Sequence, residues 1–155
     1  MKKLFFIFFP VLFMAISACN NGGNKDKVAT TPKQQADSLE KEVLEGHDIA
    51  MPKSMRIPDL QKETKRLIDS IGKLPAKTQE AAASYKAKLE SLYTELGNAY
   101  SSMETWMNEF NYDSARDNVE QRIKYLADEK LKVGKVKEEV LGSLQKADSL
   151  LKARF

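Results

Sequence analysis

Apolar residues recur at alternating steps of three and four over most of the chain beyond residue 31. In the first such stretch, Ala36, Leu39, Val43, Ala50, Ile57, Leu60, Leu67, Ile71 and Leu74 keep one phase, and Gly46, Lys53 and Thr64 fill the intervening stripe positions. This spacing lines up one face of an α-helix, so the segment reads as one helix or two nearly collinear ones. Thr31-Pro32 starts it, with Thr as N-cap and Pro at the first helical position. Pro52 and Pro58 each remove a backbone hydrogen bond and clash one turn back. They predict a kink or short break between Met51 and Pro58.

Gly72 to Lys77 (GKLPAK) reads as the first turn, and a second helix is expected to start near Thr78. Its stripe, Ala82, Tyr85, Leu89, Leu92, Leu96, Ala99, Met103, Trp106 and Phe110, is uninterrupted. A second turn falls at Phe110 to Ser114 (FNYDS), with Asp113 or Ser114 as cap. The third helix carries Val119, Ile123, Leu126, Val133, Val140, Leu144, Ala147 and Leu151. Lys130 and Lys137 fall on its stripe, where their aliphatic stems would cover the seam. No strand-like alternation occurs. Short connections make neighbouring helices antiparallel. The expected fold class is therefore all-α: an antiparallel up-down-up three-helix bundle of long helices with coiled-coil-like packing, each helix reaching roughly 50–60 Å.

Ahead of the bundle the pattern changes. Lys2-Lys3 precede an apolar run from Leu4 to Ile16, broken only by Pro10, and small residues follow. That is the layout of a secretory signal. The run is about 13 residues, against roughly 20 needed to cross a bilayer. The motif Ile16-Ser17-Ala18-Cys19 resembles the lipobox of bacterial lipoproteins. The resemblance implies cleavage before Cys19, a covalent diacylglycerol on its thiol and often an acylated amino terminus. Two or three acyl chains hold a protein at a membrane where one would not, at about 0.8 kcal/mol per buried methylene. Cys19 is the only cysteine, which leaves no disulfide and no thiolate metal site. The expected domains are a cleaved signal at 1–18, a lipidated cysteine and flexible tether at 19–31, and the bundle at 32–155. In lipoproteins of the Bacteroidota an acidic cluster after the cysteine resembles a surface-export signal. Here only Asp26 is acidic, so the chain is expected at the outer membrane facing the periplasm.

Composition narrows the function classes. Losing Lys2 and Lys3 with the signal takes the formal charge of +3 close to zero. Phosphate binding needs a concentrated basic surface, so nucleic acid is not expected as a partner. No Gly-rich phosphate loop, serine elbow or HExxH occurs, and one histidine excludes His-rich metal catalysis. His47 and Asp48 are expected to diverge on their helix and form no acid–base pair. No small-molecule substrate is evident. The expected function is a non-catalytic interaction or envelope-structural module, working through an envelope protein partner or self-association.

One cluster carries candidate chemistry. If the first turn centres near Ala76, His47, Met51, Met103, Trp106 and Met107 lie at one height of the bundle. His47 and Met51 are four apart on one face, as are Met103 and Met107. Imidazole and thioether suit Cu(I) or Ag(I), and an indole face beside such a cation adds attraction. The alternative function is thus periplasmic soft-metal binding by His47, Met51, Met103 and Met107 beside Trp106. The blander reading of the same residues is core packing, with Met filling gaps.

The segments His47-Asp48-Ile49-Ala50-Met51-Pro52-Lys53 and Ala99…Met103-Glu104-Thr105-Trp106-Met107…Phe110 resemble small helical lipoproteins of the Bacteroidota often labelled viral A-type inclusion protein. The label reflects coiled-coil-like composition. The resemblance implies the helical layout and brings no activity with it.

Overall fold

A computed structural model describes residues 30–152. The expected signal, the lipobox with Cys19 and nearly all of the tether lie outside the described residues. The chain is all-helical there: α1 (Pro32–Ser54), α2 (Ile57–Gly72), α3 (Ala76–Glu109) and α4 (Val119–Lys152). No described helix is long and apolar enough to cross a membrane.

Thr31 begins α1 with a full capping box. Its hydroxyl accepts from the Gln34 N–H at 3.3 Å, and Gln34 Oε1 accepts from the Thr31 N–H at 2.9 Å. The proline pair ends α1 where the prolines predict. Pro58 has no N–H for the Ser54 carbonyl, so the helix stops at Ser54, and α2 restarts without a side-chain cap.

That break decides the packing. Before it, α1 lies on α4. After it, α2 lies on α3, and α3 lies on α4. α1 scarcely touches α3, and α2 scarcely touches α4. Across α3 and α4 the paired residues step in opposite directions: Tyr85 Oη donates to the Leu150 carbonyl, Lys146 pairs with Glu95, and Trp106 with Glu129. Across α1 and α4 they rise together, from Glu40–Arg122 through Glu42–Lys130 to Arg56–Asp148. One core runs the length of the packed helices, and its fully buried large side chains include Val43, Ile57, Leu89, Leu96, Met103, Leu126 and Val140.

The α3 stripe is buried or half-buried at every expected position. Three other expectations need correction. α3 begins at Ala76, because Pro75 in an extended conformation serves as its N-cap. The second connection is longer than expected. The cap of α4 is Asn118, whose Oδ1 accepts from the Gln121 N–H at 3.1 Å, not Asp113 or Ser114. Asp113 is turned instead toward Arg116, 2.9 Å away, and Ala115 takes a left-handed φ of 52° to close the turn.

The largest correction concerns the α4 seam. Leu126, Val133, Val140, Leu144, Ala147 and Leu151 are buried as expected, but Val119 and Lys130 are exposed. The positions between them belong to Arg122, Glu129, Val136 and Ser143, all buried. α4 presents one face to both α1 and α3, and three of these four seam positions hold polar residues. In α1, Ser54 replaces Lys53 on the inner face, and Leu74 stands exposed beyond α2.

Two glycines separate the demands of packing from those of helix propensity. A Cβ on Gly46 would meet Val133 Cγ1 at 3.0 Å, whereas one on Gly134 would meet nothing within 4 Å. Gly134→Ala should gain up to about 1 kcal/mol from helix propensity. Gly46→Ala should forfeit that gain, because Val133 is buried and stiff at χ1. In a urea titration of both variants, the Gly134→Ala midpoint should rise and the Gly46→Ala midpoint should lie well below it.

Candidate functional site

His47 and Trp106 meet across α1 and α3. Their ring centroids are 5.7 Å apart with the planes tilted by 35°. Met103 and Trp106 are in the core, and Met51 and Met107 pack against it half-buried. The two ends of the patch differ in reach. Met103 is 1% exposed, so its thioether faces protein on all sides. Met51 Sδ lies 3.7 Å from Ser54 Oγ, whose hydroxyl donates to the Met51 carbonyl at 2.8 Å. Among the described residues no three His, Cys, Asp or Glu side chains converge on a metal-sized space. A metal bound here would depend on thioethers.

His47 and Asp48 do not diverge as expected. His47 Nδ1 and Asp48 Oδ1 are 3.0 Å apart. Adjacent helical side chains rarely face each other, but imidazole is long enough to bend back to a short carboxylate. The Asp48 side chain is 76% exposed, whereas His47 is 27% exposed and leans on Trp106, so the carboxylate meets water and the imidazole meets protein. The contact occupies Nδ1 and leaves Nε2 as the free ring nitrogen.

Around Trp106 the structure reveals a polar centre that hydrophobic spacing hid. The indole Nε1 donates to Glu129 Oε2 at 2.9 Å, both residues being buried. The other carboxylate oxygen of Glu129 accepts from Lys132 Nζ at 2.9 Å. Lys132 also pairs with Asp128 at 2.9 Å, and the hydrogen bonds it donates to Asp128 and Glu129 hold its ammonium above the ordinary lysine range. Phe110 stacks on Trp106 at 4.9 Å, and Tyr125 on Phe110 at 6.2 Å. Tyr125 Oη accepts from the Asn111 N–H at 2.7 Å, which ties this ladder to the α3–α4 connection. The indole is thus fixed on its face by rings and at its edge by a carboxylate. Both groups of the buried pair are satisfied, the condition under which buried charge is tolerated.

A second polar centre closes the same end of the fold. Arg122, with a side chain only 6% exposed, donates to Glu40 Oε2 and to the Ser114 carbonyl, each at 2.8 Å. A hydrogen bond from Tyr112, then the Arg122 guanidinium, hold the Glu40 carboxyl below its usual range. The same carboxylate holds the Tyr112 phenol above its usual range. Arg116 lies over the Tyr112 ring, 4.6 Å from its centroid.

On α3 and α4, three shallow grooves of about 500, 470 and 410 Å³ lie end to end. The first two share Glu95 and Lys146, whose ion pair crosses between them, and the second and third share Asn98 and Glu139, so they form one trough with a polar bridge across it. Leu92, Ala99, Ser143 and Val136 line it, and it reaches Trp106. Gly97 leaves room on α3 for a side chain of α2. A Cβ there would come 2.9 Å from Gln61 Nε2, which donates to the Tyr93 carbonyl at 3.2 Å and fills the space.

Of the site residues expected from the sequence, Cys19, Ile16, Ser17 and Ala18 lie outside the described residues, His47 and Trp106 meet, and Met51, Met103 and Met107 lie in or against the core. Glu129 and Arg122 were missed because a charged side chain on a seam reads as a solvated face. A period of seven through residues 122, 129, 136 and 143 was their one available signal. No protein-family model, curated protein or solved structure matches this chain.

Proposed function

We propose that the protein is a lipid-anchored lipoprotein of the bacterial envelope. Its up-down-up three-helix bundle would serve as a helical interaction module, not as an enzyme. The observation that carries the interaction reading is the trough along α3 and α4. It spans about 30 Å, the length of a 20-residue helix. Small side chains such as Ala99 and Ser143 let a partner helix approach closely, while Leu92 and Val136 give it apolar contact. The occupant is a helix of an envelope protein, held near by the acyl chains on Cys19.

The test joins anchor and trough. Cys19→Ser should abolish metabolic labelling by an alkyne fatty acid and shift the protein out of the membrane fraction. Asn98→Trp places a bulky ring on an exposed position that lines the trough. It should remove in-cell cross-links formed by a photoreactive residue at Ser102 while leaving the helical circular dichroism unchanged. Unaltered cross-links would end the trough reading. Cross-links only to another copy of the chain would replace the partner helix with self-association.

The contact between His47 and Trp106 favours a second reading, soft-metal binding. Nε2 of His47 and the sulfurs of Met51, Met103 and Met107 would supply the ligands for Cu(I) or Ag(I). On this reading Ag(I) quenches Trp106 at one ion per chain, and His47→Ala abolishes the quenching. An unchanged spectrum at micromolar Ag(I) leaves the patch as core packing. Met51→Leu should leave trough binding intact and weaken metal binding, which separates the two.

A further inference from the structure

The helix break at Met55–Arg56 leaves one flank of α4 without a neighbour among the described residues. α1 covers α4 up to the break, and α2 then turns onto α3 and scarcely meets α4 again. A groove of about 490 Å³ opens in the wedge, at the opposite end of the fold from Arg122 and the α3–α4 connection. Its apolar lining is Leu141 and Leu144. Among the described residues that line it, Lys53 and Arg56 from α1 and the break, and Lys152 from α4, supply three cations, against the carboxylate of Asp148. Arg56 and Lys152 both reach Asp148, each at 3.9 Å, so one anion is shared between two cations. Excess positive charge therefore borders apolar surface in a shallow, open groove.

We infer that this groove binds a free amphipathic monocarboxylate, with its headgroup between Arg56, Lys53 and Lys152 and its aliphatic chain along Leu141 and Leu144. Charge complementarity sets the sign of the ligand. The Gln145 amide lines the groove and offers a further donor to a carboxylate. The leucines favour an aliphatic tail over a small ion, because burying each methylene adds to the binding. The groove adjoins one end of the trough, with Gln145 and Ser149 lining both, but the trough is tested at Asn98 and Ser102, which do not line this groove, so failure here leaves the interaction reading untouched.

The test is an octanoate titration of the full chain in nanodiscs of neutral lipid, followed by the methyl resonances of Leu141 and Leu144. Saturable shifts at one octanoate per chain are expected. Replacing two of the three cations, Arg56→Gln with Lys152→Gln, should weaken binding about tenfold or more, the loss of at least one charge-assisted contact. Both side chains are largely exposed, so the variant should keep its fold, and an unchanged Trp106 emission would verify this. Acetate should shift the methyls far less, and octanol should bind more weakly. Equal effects of acetate or octanol, wild-type affinity in the double variant, or no shift at millimolar octanoate each overturn the proposal. So does an equivalent shift produced by anionic nanodiscs alone, which would make a bilayer headgroup the occupant.

Discussion

Glu129→Ala lowers the unfolding free energy by about 2–3 kcal/mol. The substitution removes a carboxylate that is 3% exposed and leaves the Trp106 indole N–H buried without an acceptor. An unmet buried donor costs about 1–3 kcal/mol, and the vacated volume adds a packing loss. Lys132 is half-exposed and keeps Asp128, so its share of the cost is small. The comparison that isolates the hydrogen bond is a double-mutant cycle. Trp106→Phe removes the donor, Glu129→Leu removes the acceptor and fills the space, and the two together should recover much of the single losses. Urea unfolding followed by circular dichroism reads all four chains. Additive losses would show that the indole and the carboxylate act independently.

Arg122→Ala should cost about 2–3 kcal/mol. Breaking a buried ion pair costs about 3–5 kcal/mol when the surviving charge stays buried. Here the survivor is Glu40, whose side chain is 25% exposed and recovers part of its hydration, which places the effect below that range. Arg122→Met should lose less, because the aliphatic stem still fills the seam. The pair also predicts a pH dependence. The folded state holds Glu40 below its ordinary value, through Tyr112 first and Arg122 next, so it binds fewer protons there than the unfolded chain does. This contribution to stability is fully present above the ordinary carboxylate range. It is lost as pH falls through the lowered folded value of Glu40. Unfolding free energies measured from neutral to acidic pH should show the loss in the natural chain and a flatter profile in Arg122→Ala. Parallel profiles would assign the acid sensitivity to the Tyr112–Glu40 hydrogen bond or to other carboxylates.

The two centres share one cause. α4 must face α1 and α3 with the same side, and its period of seven brings Arg122 and Glu129 to the seam. Each finds a partner there that packing alone would not need, Glu40 on α1 and Trp106 on α3. The partners lie 82 and 23 residues away in the chain. Nothing local at residues 122 or 129 distinguishes them from the Lys and Glu residues on the outer face of the same helix.

Local chemistry in the sequence determined much of the architecture. Thr31, Pro32 and Gln34 set the start of α1, because a capping box needs only neighbouring residues. Pro52 and Pro58 set the break, because a missing N–H and a ring clash act within one turn. The stripe from Ala82 to Phe110 set the buried face of α3, because helical geometry alone puts those positions on one side. The same register brought His47 to the level of Trp106. The tertiary structure decided what depends on distant partners. It chose Arg122 and Glu129 as seam residues, whereas the Asn118 cap and the His47–Asp48 contact are local features that hydrophobic spacing does not report. It also left the trough on α3–α4 and the wedge at Arg56, since both are the spaces that remain once α2 leaves α4 for α3. Spacing along a helix reports which side chains share a face, and only the packed helices report what that face meets.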